Sequence, residues 1–251
     1  MIHKSAIVSA KAHIGNNVKI GHYSIIYDNV VIGDNTVIEG FCEIGYPTDL
    51  AGKRPLIIGN DSHVRSHSVL YEGSVFGEKL VTGHRATVRE NTRAGLNFQI
   101  GTLSDIQGDC EIGDYVRTHS NVHVGKHSKI GNFVWIFPYV VLTNDPHPPS
   151  ETRLGVTVKD YAVIATMSVI LPGITVNEHS LVGAHSLVNK DVPSGVVVAG
   201  NPAKVLCEIT AVKLKNSKQV SAYPWPRHFK RGYPETVIEE WKSLFGEITN
   251  K

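Results

Sequence analysis

The residues of this chain best suited to chemistry crowd its middle third. Arg85, Arg89, Glu90, Asn91, Arg93, Gln107 and Arg117 come first; guanidinium groups match phosphate oxygens two at a time, so such a set suits a diphosphate. Histidines follow at 119, 123 and 127, side chains that exchange a proton near neutral pH and serve as general bases. A polar run then appears, Thr143-Asn144-Asp145-Pro146-His147-Pro148-Pro149, stiffened by three prolines. The chain has 13 histidines, which raises the question of a metal. A zinc ion needs ligands that converge on one point, so the answer depends on which side of the fold each histidine faces. Cys42, Cys110 and Cys207 are too few and too scattered for a disulfide framework or a zinc finger.

The elements that position these side chains are set by a period of six. Every sixth residue from Ile2 is aliphatic through Ile44, and the register resumes at Ile58 through Leu142 and again at Val158 through Val188. Of 29 such positions, 25 are Val, Ile or Leu, which neither a helical nor a simple strand period explains. Short strands joined by tight corners do explain it, with one large side chain per strand pointing inward. Three strands close a triangular coil of about 18 residues, and coils stack about 4.8 Å apart as an all-β parallel β-helix. The residue after the aliphatic is often Gly, as at Gly15, Gly33 and Gly101, which suits a corner that bends tightly or takes positive φ. Small residues such as Ser24, Ser62, Ser104 and Ser128 stand four places after it. The repeat is broken at 47–57 and 143–157, and loops that interrupt a solenoid commonly carry function. The expected organisation is a β-helix over 1–206 and an extension over 207–251, in which Pro234 and Glu235 open a helix with Val237, Ile238, Trp241, Leu244 and Phe245 on one face. That extension is expected to cap the solenoid or pack on a neighbouring subunit.

The net charge is +2 with 19% charged residues and no basic run, which argues against nucleic acid or a membrane surface as partner. No apolar stretch approaches the roughly 20 residues of a membrane span. The opening Met1-Ile2-His3-Lys4-Ser5 has no charged segment leading into an apolar one, so a cytoplasmic protein without a signal peptide is expected.

The [Ile/Val/Leu]-Gly-x-x-[small]-x pattern over residues 2–193 resembles the hexapeptide-repeat acyltransferase superfamily. That resemblance implies a left-handed β-helix, a trimer, and active sites in the clefts between prisms. Gly200-Asn201-Pro202-Ala203-Lys204 is similar to the ending of its acetyl-CoA-dependent members. Asn121-Val122-His123-Val124 with Ile130-Gly131-Asn132 resembles the stretch bearing the catalytic histidine of UDP-N-acetylglucosamine acyltransferases, which implies that His123 is the catalytic residue. As the sixth residue of its hexapeptide His123 faces outward, and one 18-residue coil back stands Asp105, a carboxylate placed to fix its tautomer and raise its basicity. The β-helical carbonic anhydrases resemble the fold too, but pair histidines five apart; no two here are so spaced, and a spacing of four turns side chains different ways on the coil, so no metal is expected.

By the same resemblance CoA lies along the C-terminal coils at Ala165, Gly183, Ala184, Lys190 and Lys204, with a backbone N–H at Ala165 or Gly183 as an oxyanion donor. On the acceptor side stand Arg85, Arg89, Glu90, Asn91, Gln107, Arg117, Asn121, Asn144 and Asp145. The Tyr223-Pro224-Trp225-Pro226-Arg227-His228-Phe229 segment and Leu142-Thr143-Asn144-Asp145 add a similarity to N-acetyltransferases of dTDP-linked 3-amino-3,6-dideoxyhexoses, which serve O-antigen and S-layer synthesis. The implied activity is transfer of acetyl from acetyl-CoA to the amine of a dTDP- or UDP-linked amino sugar. The rivals are an O-acetyltransferase on serine or a simple sugar, and a non-catalytic β-helix for binding or assembly.

Overall fold

The computed structural model describes residues 1–246 and is a left-handed parallel β-helix. Three sheets of 10, 9 and 11 strands run its length. We call them face 1 (beginning at Ile7–Val8), face 2 (at His13–Ile14) and face 3 (at Lys19–Ile20). Each strand pairs in parallel with the strand one coil on, as Ile7 does with Ile25. The aliphatic of every hexapeptide points inward and builds one continuous core, with Ile44, Val64, Leu70, Ile106, Val124, Ile136 and Ile164 all fully buried.

The small residue of each repeat is buried at the corner, where its hydroxyl satisfies backbone that the turn leaves unpaired. Ser62 donates to the Gly59 carbonyl at 2.7 Å and Ser128 to that of Gly125 at 2.6 Å. The glycines have a different reason from the one expected. Positive φ falls two residues later, on Asn17, Asn35, Asn121, Phe133 and their equivalents. The repeat glycine is required because coils touch there: a Cβ on Gly101 would lie 2.1 Å from the His119 carbonyl carbon.

Both interruptions leave face 1 and return to face 2, so they project from the same edge of the prism, corner 1–2. Register partners across them are 26 apart at Val31 and Ile57, and 28 apart at Lys129 and Thr157, against 18 in the regular coils and 16 in the last. After the last parallel strand, Val196–Gly200, the chain doubles back antiparallel as Ala203–Glu208.

The extension does not cap the end of the prism. It returns along the side and straps face 3 and corner 2–3, because that is where the coils present aromatic side chains. Trp225, Tyr233, Val237 and Trp241 pack on Tyr115 and Val163, with Phe133, Trp135 and Tyr161 against them. The predicted helix is present as Glu235–Phe245 (α1), which buries Val237 and Trp241. The final part of the expected 207–251 extension, residues 247–251, lies outside the described residues. Among those described, no helix is long and apolar enough to cross a membrane.

Candidate active site

His123 and Asp105 are register partners on adjacent strands of face 1, at the outward position of each. The contact follows from the coil itself: equivalent residues 18 apart stack at the inter-strand spacing. Nδ1 of His123 lies 3.2 Å from Oδ2 of Asp105, with the two side chains 40% and 36% exposed. Burial works against ionisation of Asp105. Hydrogen bonds from His123 and Gln107 and the nearby charges of His123 and Arg89 outweigh it, so its carboxyl titrates below the usual aspartate range. An ionised carboxylate at Nδ1 holds the proton on that nitrogen and leaves Nε2 as the basic atom.

Beside this pair, at corner 1–2, a charged cluster is sunk between the two insertions. Glu90 is fully buried, 3.1 Å from the Arg89 guanidinium and 3.7 Å from Lys126. Lys126 also bridges to Asp109 at 2.8 Å, and Asn91 donates to Asp109 and to the Leu50 carbonyl. A buried carboxylate persists only with such partners. The first insertion is thereby pinned over the cluster, with Thr48 N–H donating to Glu72 as a further tie. Arg89 also lies over the Tyr71 ring at 5.7 Å. The second insertion is tied internally by Asp145, which accepts from the Ser150 hydroxyl and from the Ser150 and His147 amides and pairs with Arg153 at 3.3 Å. Asn144 comes down beside Gly125, just past His123: a Cβ on that glycine would lie 3.1 Å from the Asn144 Cβ.

The structure therefore gathers His123, Asp105, Gln107, Arg89, Glu90, Asn91, Asn144 and Asp145 on face 1 and its edge. The remaining arginines do not join them. Arg85 and Asn121 sit at the opposite edge, corner 3–1, each at the positive-φ position. Arg93 is on face 2. Arg117 is on face 3 and is consumed by the strap, donating to the Gly232 carbonyl at 3.0 Å and the Tyr233 hydroxyl at 3.3 Å and lying over the Tyr233 ring. The expected arginine cluster is thus dispersed, because 85, 89, 93 and 117 stand at different phases of the 18-residue coil. Lys126, Asp109 and Tyr71 were not foreseen, although Asp109 stands one coil after Asn91.

On the C-terminal coils, the amides of Ala165 and Gly183 cannot serve as oxyanion donors. Each is spent in the ladder, on the Val182 carbonyl at 2.9 Å and the Val198 carbonyl at 2.8 Å. The next amide along, at Thr166 and at Ala184, makes no hydrogen bond among the described residues. Gly183 is glycine because Ala199 packs against it, within 2.8 Å of where a Cβ would be. Lys190 and Lys204 line one cavity of about 430 Å³ at the end of the prism, with Asp191 and Pro202. A groove of about 480 Å³ on face 2, floored by Ala94 and Ile112, is lined by Arg93 and by none of the other candidates. His119, His123 and His127 face three ways, and among the described residues no group of three His, Cys, Asp or Glu side chains is arranged to hold a metal ion.

Comparison with known proteins agrees with this architecture. The family described as Bacterial transferase hexapeptide (six repeats) matches residues 11–46. An acyl-[acyl-carrier-protein]–UDP-N-acetylglucosamine O-acyltransferase of Saccharophagus degradans is 30% identical over 208 residues, covering 80% of this chain and 72% of that protein. The bifunctional protein GlmU of Clostridioides difficile is 25% identical over 210 residues, 82% of this chain but 42% of its own length. A UDP-N-acetylglucosamine acyltransferase of Arabidopsis shares the fold with a TM-score of 0.69 at 18% identity, covering 97% of this chain and 88% of that one. The chain belongs to the hexapeptide-repeat acyltransferase superfamily, whose fold is the left-handed β-helix.

Proposed function

We propose that the chain transfers an acetyl group from acetyl-CoA to the amine of a dTDP- or UDP-linked amino-deoxy sugar, a step in surface-glycan synthesis of the O-antigen or S-layer kind. One observation carries the reading: an outward imidazole, backed by an ionised carboxylate, between two insertions on a fold whose relatives acylate sugars.

In this reaction the amine nitrogen attacks the thioester carbon, and a C–N bond forms as the carbonyl becomes an oxyanion. The C–S bond then breaks and CoA leaves as the thiol. Nε2 of His123 accepts the proton lost by nitrogen and passes one to the departing sulfur. Asp105 acts through His123 as a positioning residue. The free amides of Thr166 and Ala184 offer hydrogen bonds to the pantetheine chain or to the oxyanion, and Lys190 and Lys204 supply charge for the CoA phosphates. Arg89, Asn91, Gln107 and Asn144 face the acceptor from corner 1–2, and Arg85 and Asn121 from corner 3–1 of the same or a neighbouring subunit in a homotrimer. Asp145 acts indirectly, by ordering the second insertion.

O-acylation is the second reading, favoured by the name of the Saccharophagus degradans relative. The test is release of free thiol from acetyl-CoA with a panel of dTDP- and UDP-linked 3- and 4-amino sugars, beside UDP-N-acetylglucosamine and simple hydroxyl acceptors. Turnover with an amino sugar alone supports N-acetylation, and turnover with a hydroxyl acceptor alone supports the second reading. Silence with all acceptors and no CoA binding overturns both.

A further inference from the structure

A second cavity lies on face 3, between the prism and the strap, and none of the chemistry above uses it. It measures about 340 Å³, near the lower end of small-molecule sites and large enough for one flat ring with a substituent, not for a whole nucleotide sugar. Its prism wall is aromatic. His119 stacks on Phe137 with centroids 4.6 Å apart and planes 15° off parallel, and Trp135 continues the surface. Its strap wall presents Trp225 and Phe229, which meet Trp135 edge-on at 6.1 and 5.4 Å. Among the described residues no carboxylate lines it, whereas Arg231 and His228 do. Arg231 is exposed and lies 5.7 Å from the Phe229 ring.

His119 gives the cavity a reading edge. Neither ring nitrogen has a hydrogen-bond partner among the described residues. Burial, and then the charge of Arg117, push this imidazole down from the usual histidine range, so it stays neutral at physiological pH. A neutral imidazole offers one donor and one acceptor on diverging nitrogens, so His119 can make a single hydrogen bond to a carbonyl or N–H of a nucleobase. Stacked rings, one hydrogen-bonding nitrogen and a cationic mouth are together the chemistry that holds a base followed by phosphate.

We propose that the cavity between face 3 and the strap seats a nucleobase, with Arg231 on the phosphate that follows it. This rests on the nucleotide-linked acceptor proposed above and adds where its base is held. His119 and His123 share one coil and are separated by corner 3–1, four residues that span at most about 14 Å of chain. A base anchored at His119 therefore leaves its diphosphate-linked sugar within reach of face 1. Both the acceptor nucleotide and the adenine end of CoA carry a base and phosphate, so the probes must separate them.

The experiment is calorimetric titration of the full chain with dTDP, UDP and adenosine 3′,5′-bisphosphate, repeated with Arg231→Ala and Phe137→Ala. Arg231 is exposed, so its loss leaves the fold intact and guards against misreading an unfolded variant. The expected result is at least ten-fold weaker binding of dTDP or UDP in both variants, with unchanged oligomeric state in both and unchanged melting temperature in Arg231→Ala. If only the adenosine probe weakens, the same base-and-phosphate site is occupied by CoA. Unchanged affinity for all three probes, or a change of oligomeric state that accounts for the loss, overturns the assignment. Binding is read without turnover: a silent acceptor panel with variant-sensitive nucleotide binding sinks the transferase reading alone. Turnover with a KM indifferent to both variants sinks the pocket alone.

Discussion

Replacing Asp105 by Asn and His123 by Ala should give losses of very different size. At about 4 Å and an effective dielectric of about 20 a full charge pair is worth on the order of 4 kcal/mol. This pair, at 3.2 Å, has side chains 40% and 36% exposed, and water screens such a pair to about 1 kcal/mol or less. The amide oxygen of the introduced asparagine can still accept from Nδ1–H, so the tautomer is kept. Because about 1 kcal/mol or less is at stake, Asp105→Asn should lower kcat/KM about two- to five-fold. His123→Ala removes the proton acceptor and should cost about 10²- to 10⁴-fold. Since Asp105 acts through His123, the double variant should match His123→Ala rather than multiply the two losses. The assay is the initial rate of thiol release against pH, under kcat/KM conditions. A loss of a hundred-fold or more in Asp105→Asn would mean that the carboxylate meets the reacting groups itself. A loss under ten-fold in His123→Ala at every pH would remove general-base catalysis from the account.

Acid should loosen the strap before the prism. Burial pushes both His119 and His179, which stacks on Tyr161 and meets Phe245 of α1, down from the ordinary histidine range, assisted at His119 by Arg117 and opposed at His179 by Glu178 and Asp160. A group depressed in the folded state adds stability above its unfolded value of about 6.5 and loses it as pH falls through the folded one; tryptophan emission should shift to the red below about pH 6, and constant emission from pH 7.5 to 5 would refute this. Burial raises the thiols of Cys42 and Cys110 to about 11, whereas Cys207 is half-buried on the closing hairpin. One thiol per chain should therefore react quickly with a disulfide reagent at pH 8, and two fast thiols would contradict the burial. Gly101→Ala drives a Cβ into the backbone of the next coil and should cost about 1–3 kcal/mol by overpacking. Gly52→Ala meets no atom within 4 Å but keeps φ at +58°, and should cost about 1 kcal/mol; equal urea midpoints for the two variants would sink the distinction.

The β-helix was legible because its constraint acts on every residue of one phase: an inward position must be apolar or have its hydroxyl hydrogen-bonded to backbone, as Thr82 and Thr118 do, and only those two with Phe76 and Ala94 depart from Val, Ile or Leu. The same periodicity made the pair at 105 and 123 legible, since stacked coils convert a sequence difference of 18 into contact. It could have done more. Between Ile58 and Leu142 no residue is inserted, so phase alone assigns a side: Arg89 follows the inward Val88 on face 1, whereas Arg117 precedes the inward Thr118 on face 3. Treating nearby arginines as one cluster applied chain proximity where only phase matters. Ladder counting would likewise have excluded the Ala165 and Gly183 amides, because the residue after an inward side chain donates to the coil that follows, as Gly131, Phe137 and Lys159 do. The strap is different in kind. Nothing in the period links Tyr223–Phe229 to Tyr115, Phe133 and Tyr161, whose rings occupy positive-φ positions that earlier coils of the same edge fill with Asn, Asp or Lys. Aromatic residues gain nothing locally from that backbone. At corner 2–3 they are explained by the strap that buries them, whereas Tyr23 and Phe41 stack at corner 3–1 and stay exposed; the aromatic corners point to a returning segment only when read together with the aromatic run at 223–229.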